Sequence, residues 1–232
     1  MKIFLLKMKV LIFDTGGIIS LAMNGLLYIL KELKKNFDGK FVITKQVKEE
    51  LVDVPLNIKK YQLEALTISQ LIFEKVLESP SVIGIDENEI NSETSRFMEI
   101  ANNMFTAQNE RMKIVSKAEC SCITLSILLT RKNIDNLISI DERTARMLCE
   151  NPENLKELFS RKLHTPIKIN YKKATDIECK IIRSSELVYT AFKKGLINIK
   201  DGRELLDAVL YAVKYKGCAI SKEEIEEIKN LI

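Results

Sequence analysis

Acidic residues that follow apolar runs could do chemistry together if the fold brings them to one place. Asp14 follows the apolar residues 10–13 and precedes Thr15-Gly16-Gly17. A short, bounded apolar run is typical of a buried strand, and the glycines after it mark a change of direction. Because ligands of open α/β sheets bind beyond the carboxyl ends of the strands, Asp14 is a candidate site residue.

Asp141 repeats this pattern. It follows the apolar run 136–140, and Glu142 comes next at the start of a predicted helix. Both aspartates also have an ordinary structural interpretation, since an aspartate before a helix can act as its N-cap.

Two glutamates add to the set, and the first lies in a helix predicted at 44–54. Val47, Leu51 and Val54 have the i, i+4, i+7 spacing of a buried face. Glu50 lies on or beside that face, whereas Glu49 points to solvent. A carboxylate on an apolar side must be reconciled with burial, and a bound metal ion is one way to do so.

Glu119 is the second glutamate. The stretch from Ser116 fits the capping box S-x-x-E, which is a purely structural alternative. Glu119 also shares a mostly apolar face with Cys122, Ile123 and Ser126. The sequence leaves the two interpretations equally open.

Together these carboxylates predict a metal site. Like charges crowded together repel and resist ionisation, and a divalent cation removes that penalty. Zinc is disfavoured because the five cysteines form no C-x-x-C pair and His164 is the only histidine. Oxygen ligands favour Mg²⁺ or Mn²⁺.

Strands that alternate with helices position these residues and predict an α/β fold with a mainly parallel sheet. After residue 171 only helices are expected. Strands are predicted at 9–13, 41–43, 82–85, 136–140 and 166–169, and helices at 18–35, 44–54, 58–78, 92–108, 116–129, from 142, and at 184–194, 201–216 and 221–232.

Composition sets wider limits. The chain has 232 residues, 46% of them hydrophobic, and a net charge of +4, which suits a globular protein and is compatible with nucleic acid. Lys7 and Lys9 interrupt the apolar start too early for a signal peptide, and we expect no membrane span and a cytoplasmic location.

The chain resembles the PIN-domain nucleases, in particular prokaryotic, toxin-like members with a helical C-terminal extension. The resemblance rests on Asp14-Thr15 after a strand, on Glu50, on Ala118-Glu119, and on residues 138–146, Ile-Ser-Ile-Asp-Glu-Arg-Thr-Ala-Arg, close to the family's Asp-Asp-Arg-x-Ala-Arg pattern. Departures are Gly16-Gly17, Ala118 in place of glycine, Glu142 in place of a second aspartate, and a long segment between Glu50 and Glu119.

The resemblance implies a three-layer, Rossmann-like nuclease domain over residues 1–170. Within it, residues 58–117 would be an elaborated, mostly helical segment, and residues 171–232 would be a helical extension packed on the same domain. The implied activity is a metal-dependent endoribonuclease.

Carried over residue by residue, the resemblance makes Asp14, Glu50, Glu119 and Asp141 the catalytic, metal-binding quartet. Glu142 would be a further metal ligand and Thr15 a supporting hydroxyl. Arg143 and Arg146 are candidate phosphate contacts, with ordinary helix-surface charge as their alternative. Weaker candidates for a basic rim are Lys113, Lys117, Arg131 and Lys132.

The expected partners are RNA, a small antitoxin protein if the chain is a toxin, and a second copy of the chain in a homodimer; an RNA-processing enzyme is the other setting. Two competing functions remain. A phosphatase with Asp14 as nucleophile needs a second aspartate where Gly16 stands. A PIN-like scaffold that binds RNA or protein without cleaving is the main alternative.

Overall fold

A computed structural model describes residues 8–108, 110–170, 179–199 and 203–231. The strands are β1 (Lys9–Phe13), β2 (Lys40–Val42), β3 (Phe105–Ala107), β4 (Glu110–Arg111), β5 (Asp135–Ser139), β6 (Ile167–Ile169) and β7 (Ile181–Ile182). The helices are α1 (Thr15–Met23), α2 (Tyr28–Lys35), α3 (Lys45–Lys48), α4 (Gln62–Phe73), α5 (Glu87–Asn102), α6 (Lys117–Arg131), α7 (Arg143–Glu150), α8 (Pro152–Leu163), α9 (Ser184–Lys193), α10 (Arg203–Tyr215) and α11 (Lys222–Lys229). A π-helical turn spans Glu49–Asp53, and 3₁₀ turns span Pro55–Asn57 and Pro80–Ile83.

The central element is a four-stranded parallel sheet in the order β2-β1-β5-β7. Residues Val10 to Phe13 of β1 are buried, as the apolar run predicts. The mixed α/β class and the parallel sheet are thereby confirmed.

The strand order places the candidate site. The chain passes from β1 to β2 on one side, and β5 pairs with β1 on the other. The crevice at such a reversal, outside the carboxyl ends of the strands, is where open α/β sheets bind ligands. Asp14 follows β1 directly, and Asp141 lies two residues beyond β5.

Helices flank this sheet. α6 contacts β1 and β5 and packs against α5, whereas α9 contacts β7, α1, α2 and α10. Buried side chains from the N-terminal strands and from α9 to α11 belong to one continuous hydrophobic core. The C-terminal helices therefore share the core of the sheet.

A second sheet has three antiparallel strands in the order β4-β3-β6. The edge strand expected at 166–169 is present as β6, but it belongs to this small sheet. The helix expected over 92–108 corresponds to α5, which ends at Asn102. The last residues of the predicted span form β3 instead.

Three other predictions are wrong. The helix expected at 18–35 is two helices, because Asn24 and the left-handed Gly25 (φ 67°) end α1 and the chain turns by 117° before α2. The strand expected at 82–85 is a 3₁₀ turn that starts at Pro80 and ends at Gly84 (φ 72°). Strand β7 forms after residue 171, where only helices were expected.

The other predicted helices begin or end within a few residues of the observed ones, except that the one expected over 58–78 is shortened to α4. The start expected at Asp201, the end expected at Ile232 and the domain boundary at residue 171 lie outside the described residues. Within the described ranges, no single helix has the length and apolar character needed to cross a membrane.

Candidate acidic site

Asp14 is a buried carboxylate at the carboxyl edge of the sheet, with 3% of its surface exposed. It is the N-cap of α1, and its Oδ2 accepts a hydrogen bond from the Gly16 backbone N–H at 3.3 Å. Its Oδ1 is buried without a hydrogen-bond partner among the described residues. The N-cap interpretation is therefore correct for one oxygen and leaves the other unexplained.

The electrostatic environment of Asp14 disfavours its charge. Burial, and then the nearby carboxylates of Glu119 and Glu50, raise the pKa of Asp14 to about 7, although backbone N–H groups act in the opposite direction. A buried carboxylate at this position resists ionisation, and a bound cation would favour its ionised form.

Glu50 reaches the site through Thr15. The Thr15 hydroxyl donates a hydrogen bond to Glu50 Oε2 at 2.7 Å, which joins the first residue of α1 to the π-helical turn. Both Glu50 and Glu49 are exposed, so Glu50 does not lie on a buried face as predicted.

The π-helical turn explains the error in the helix-face assignment. Its wider turn shifts the register after Lys48, so that Leu51 and Val52 are buried and Val54 is 58% exposed. Single π-helical turns within helices occur frequently at functional sites. Here the turn places Glu50 beside Thr15.

The capping-box interpretation of Glu119 is confirmed, and its role as a metal ligand stays a prediction. Glu119 forms the capping box of α6, in which its Oε2 accepts from the Ser116 backbone N–H at 2.6 Å and its own N–H donates to Ser116 Oγ at 3.2 Å. Burial raises the pKa of Glu119, with further contributions from Glu142 and Glu50, against the opposing hydrogen bonds of Ser116.

Glu142 is the fourth member of this group. Its Oε2 accepts from the Ala145 backbone N–H at 2.7 Å, so it is the N-cap of α7, and its side chain is exposed. Its charge contributes to the raised pKa of Glu119. We call Asp14, Glu50, Glu119 and Glu142 the acidic cluster.

Asp141 has a different arrangement from the one predicted. Its Oδ1 accepts from the Ser184 backbone N–H at 2.7 Å and its Oδ2 from the Ser184 hydroxyl at 2.7 Å. Burial raises its pKa in spite of these bonds. The carboxylate is directed to the start of α9, and its expected role as a metal ligand stays a prediction.

The two aspartates are nevertheless neighbours across Gly16. A Cβ atom at Gly16 would lie 3.6 Å from Asp14 Oδ2 and 3.6 Å from Asp141 Cβ. Both distances are ordinary van der Waals contacts, so the two aspartate side chains both lie next to Gly16. At Gly17 a Cβ would approach Ser139 Oγ at 3.1 Å, which keeps α1 close to the end of β5.

Buried hydroxyls fix the helices that carry the glutamates. Thr44 caps α3 by accepting from the Val47 backbone N–H at 3.3 Å, and its hydroxyl lies 2.6 Å from Ser121 Oγ in α6. Cys122 is buried below, with its Sγ 3.6 Å from the Phe13 carbonyl. The start of α3 and the first turns of α6 are thus held next to the end of β1.

The acidic cluster fits a hard divalent cation in the chemistry of its donors. It offers only carboxylate oxygens, one of which is the unpartnered Asp14 Oδ1. In the described part of the chain, no three His, Cys, Asp or Glu side chains lie close enough together to hold a metal ion. Glu50 and Glu119 each accept a hydrogen bond on Oε2, from Thr15 and Ser116, so the other carboxylate oxygen of each would be the one offered to a cation.

The two arginines differ. Arg143 is exposed at the start of α7. Arg146 is mostly buried, donates to the Ala219 carbonyl at 3.5 Å and lies 4.0 Å from Glu150. The helix-surface alternative therefore suits Arg143 better than Arg146.

The weaker basic candidates separate by position along α6. Lys117 begins this helix beside Ser116, and Lys113 lies just before it. Arg131 and Lys132 lie at the opposite end of the 15-residue helix, roughly 20 Å away at a rise of about 1.5 Å per residue. That distance excludes them from the rim of the acidic cluster.

Sequence reasoning missed Ser184, because the signal for it is only an ordinary helix start. It also missed that Cys149 and Cys179 are hydrogen-bonded partners at the amino-terminal side of the sheet, which raises the pKa of Cys149 and lowers that of Cys179. Cys120, Cys122 and Cys218 are buried.

Comparison with protein-family models, with curated proteins and with solved structures finds no match to this chain. The function must therefore be argued from the geometry of the site.

Proposed function

We propose that the protein is a ribonuclease that depends on Mg²⁺ or Mn²⁺ and has a three-layer, PIN-like fold. The supporting observation is the acidic cluster at the carboxyl edge of a parallel sheet, with one buried carboxylate oxygen that has no hydrogen-bond partner among the described residues. A carboxylate whose pKa is strongly perturbed in such a crevice is a candidate functional group.

In this proposal Asp14, Glu50, Glu119 and Glu142 would hold the cation, and Asp141 belongs to the set only if its carboxylate leaves Ser184. A cation bound there supplies Lewis-acid stabilisation of the charge that develops on a phosphodiester during hydrolysis. Thr15 positions Glu50 through their 2.7 Å hydrogen bond.

The chain's own residues would also orient the substrate. Arg143 is one residue beyond Glu142 and is exposed, so its guanidinium is available to a phosphate of RNA. Arg146 packs on Ala219 and adds a second cationic side chain to the surface beside Arg143.

The test is cleavage of a generic single-stranded RNA with Mn²⁺, with Mg²⁺ and with a chelator. Wild type is expected to cleave only with a cation, and Asp14→Asn is expected to be inactive in all three conditions. The DNA of the same sequence is the substrate control. Equal cleavage by wild type and Asp14→Asn would refute the proposal.

A non-cleaving, PIN-like scaffold that binds RNA or a protein is the second candidate. Its supporting observation is that Glu119 and Glu142 are both used as helix caps and Asp141 binds Ser184. RNA binding that is unaffected by cations, without cleavage, is the result that would favour it.

Two biological settings suit the nuclease: the toxin of a toxin–antitoxin pair and an RNA-processing enzyme. A toxin is expected to stop growth when expressed alone and to be rescued by a small antitoxin protein. An RNA-processing enzyme is expected to leave growth unchanged and to act on a defined precursor. A homodimer is compatible with either setting and is tested by the mass of the protein in solution.

A further inference from the structure

We propose that a basic cleft beside the acidic cluster binds a phosphate of the RNA backbone other than the one that is cleaved. The cleft has a volume of about 520 Å³ and lies between α7 and the connection from α10 to α11. Its lining includes Arg143, Arg146, Lys214, Ala219, Ser221 and Glu224. This inference rests on the proposed ribonuclease function and adds a substrate-binding site to it.

The charges in the cleft favour an anion. Arg143, Arg146 and Lys214 contribute three cationic groups to one cavity. Glu224 is the acidic group in the lining, and its two oxygens are already used, since Arg183 donates to Oε1 at 2.7 Å and the Ser221 backbone N–H donates to Oε2 at 2.7 Å. Glu224 interacts electrostatically with Arg146, so the lining has three cationic groups against one carboxylate and keeps an excess of positive charge.

The same side chains have unused hydrogen-bond donors. Arg143 makes no hydrogen bond or ion pair with the described residues. Arg146 donates one N–H to the Ala219 carbonyl, but its Nε is buried without a hydrogen-bond partner, with the nearest Glu150 oxygen 4.0 Å away. A buried donor that lacks a partner carries a desolvation cost, which an anion in the cleft would offset.

Lys214 provides a further donor from the C-terminal helices. Its ammonium donates to the Ile220 carbonyl, which fixes it over the connection between α10 and α11. A lysine ammonium has three N–H donors, so two remain for a ligand. Oxygen-rich anions such as phosphate match several converging N–H donors of this kind.

The position of the cleft indicates a polymer rather than a free anion. Its Ala219 backbone N–H donates to the Asp141 carbonyl at 3.1 Å, and Arg143 directly follows Glu142. The cleft therefore borders the acidic cluster. An RNA strand with its reacting phosphate at the cluster would bring a neighbouring phosphate to the cleft, whereas a free anion gains nothing from this position.

The test measures the affinity of the full-length protein for a short single-stranded RNA in a chelator, over a series of salt concentrations. Lys214→Ala is expected to weaken binding by about fourfold near physiological salt and to make the slope of log affinity against log salt shallower by about 0.7, the value for one phosphate contact on a single strand. Lys214→Arg is expected to retain both properties.

Lys216→Ala is the matched control, because Lys216 is exposed two residues farther on and does not line the cleft. If Lys214→Ala binds like wild type, or if Lys216→Ala weakens binding equally, the cleft is not a phosphate site. If inorganic phosphate displaces the RNA at a concentration equal to that of the RNA phosphates, the conclusion that the cleft binds a polymer is wrong.

Cleavage in Mn²⁺, measured separately, distinguishes this inference from the proposed function. Loss of affinity in Lys214→Ala without any cleavage by wild type supports the cleft and refutes the nuclease. Cleavage by wild type with unchanged affinity in Lys214→Ala supports the nuclease and refutes the cleft.

Discussion

The ends of β1 and β5 look alike in sequence and differ in the structure. Each is an apolar strand followed by an aspartate and a helix. Asp14 retains a buried oxygen without a partner, and its pKa is raised to about 7. Asp141 is just as buried, but both its oxygens are bonded to Ser184.

The difference comes from a residue that is distant in sequence. Ser184 is 43 positions beyond Asp141, and it is brought there because β7 joins the sheet next to β5. In the part of the chain that the structure describes, no such hydroxyl reaches the buried Oδ1 of Asp14. The carboxylate of Asp141 is therefore satisfied by hydrogen bonds within the fold, whereas that of Asp14 keeps one oxygen without a partner among the described residues.

The largest expected effect is on catalysis by Asp14→Asn. Since changes to residues that merely support metal ligands cost about 10–100-fold, loss of this carboxylate is expected to lower the cleavage rate by more than about 100-fold. The measurement is the single-turnover rate on RNA in Mn²⁺.

Asp141→Asn is the paired variant. Its amide oxygen can still accept from the Ser184 N–H and its amide can donate to the Ser184 hydroxyl, so cleavage is expected to remain within about tenfold of wild type. The PIN-like quartet predicts an equal loss for both variants. An equal loss would show that Asp141 leaves Ser184 during the reaction.

The second effect is on stability, and its sign follows from the pKa of Asp14. In the folded protein this pKa is raised from 3.8 to about 7, so the folded state binds the proton more tightly than the unfolded state does. The contribution to the unfolding free energy is present in full below about pH 4 and is lost as pH rises to about 7, by up to about 4 kcal/mol.

Without divalent cations, wild type is therefore expected to become less stable between pH 4 and pH 7, and Asp14→Asn is expected to show a smaller decline. Urea unfolding at several pH values measures this. A steeper decline in the variant would mean that Asp14 is ionised and satisfied in the fold.

A bound divalent cation should offset the loss of stability that ionisation of Asp14 causes. A ligand at 100 times its Kd stabilises the state that binds it by about 2.7 kcal/mol, so Mg²⁺ or Mn²⁺ is expected to raise the Tm of wild type at neutral pH. Asp14→Asn should show a smaller rise. A wild-type Tm that is insensitive to millimolar Mn²⁺ would exclude a metal site at the acidic cluster.

Local sequence patterns predicted the elements around the site well. The apolar runs before Asp14 and Asp141 are β1 and β5, the capping box at Ser116 is present, and the helix predicted from residue 44 begins after its N-cap Thr44. These features depend on residues within a few positions of one another, so a single stretch of sequence carries the full signal.

The wrong predictions concern places where the structure is not set by the local sequence pattern. Val54 is exposed because a π-helical turn interrupts the regular helix. The two residues of β7 are too short a run to be distinguished from a loop, yet pairing with β5 makes them a strand. The partner of Asp141 could not be predicted without that strand.

A smaller effect is expected at the other strand end. Asp141→Ala leaves the Ser184 backbone N–H and hydroxyl without their acceptor in a buried place, and leaving buried donors unsatisfied costs about 1–3 kcal/mol. The unfolding free energy of this variant should fall by that amount, whereas Ser184→Ala should lose about 1 kcal/mol. Equal stability of Asp141→Ala and wild type would contradict the structural role.

The smallest expected effects separate the two glutamates of the π-helical turn. Glu50 and Glu49 are both exposed, but only Glu50 is bonded to Thr15 and close enough to affect Asp14 and Glu119. Glu50→Gln can keep the Thr15 hydrogen bond while it removes the charge, so cleavage should fall by about tenfold with unfolding free energy within about 0.5 kcal/mol of wild type. Glu49→Gln removes the same charge one residue away and should change neither quantity. If Glu49→Gln slows cleavage as much as Glu50→Gln does, the general negative charge of this turn matters and the contact with Thr15 does not.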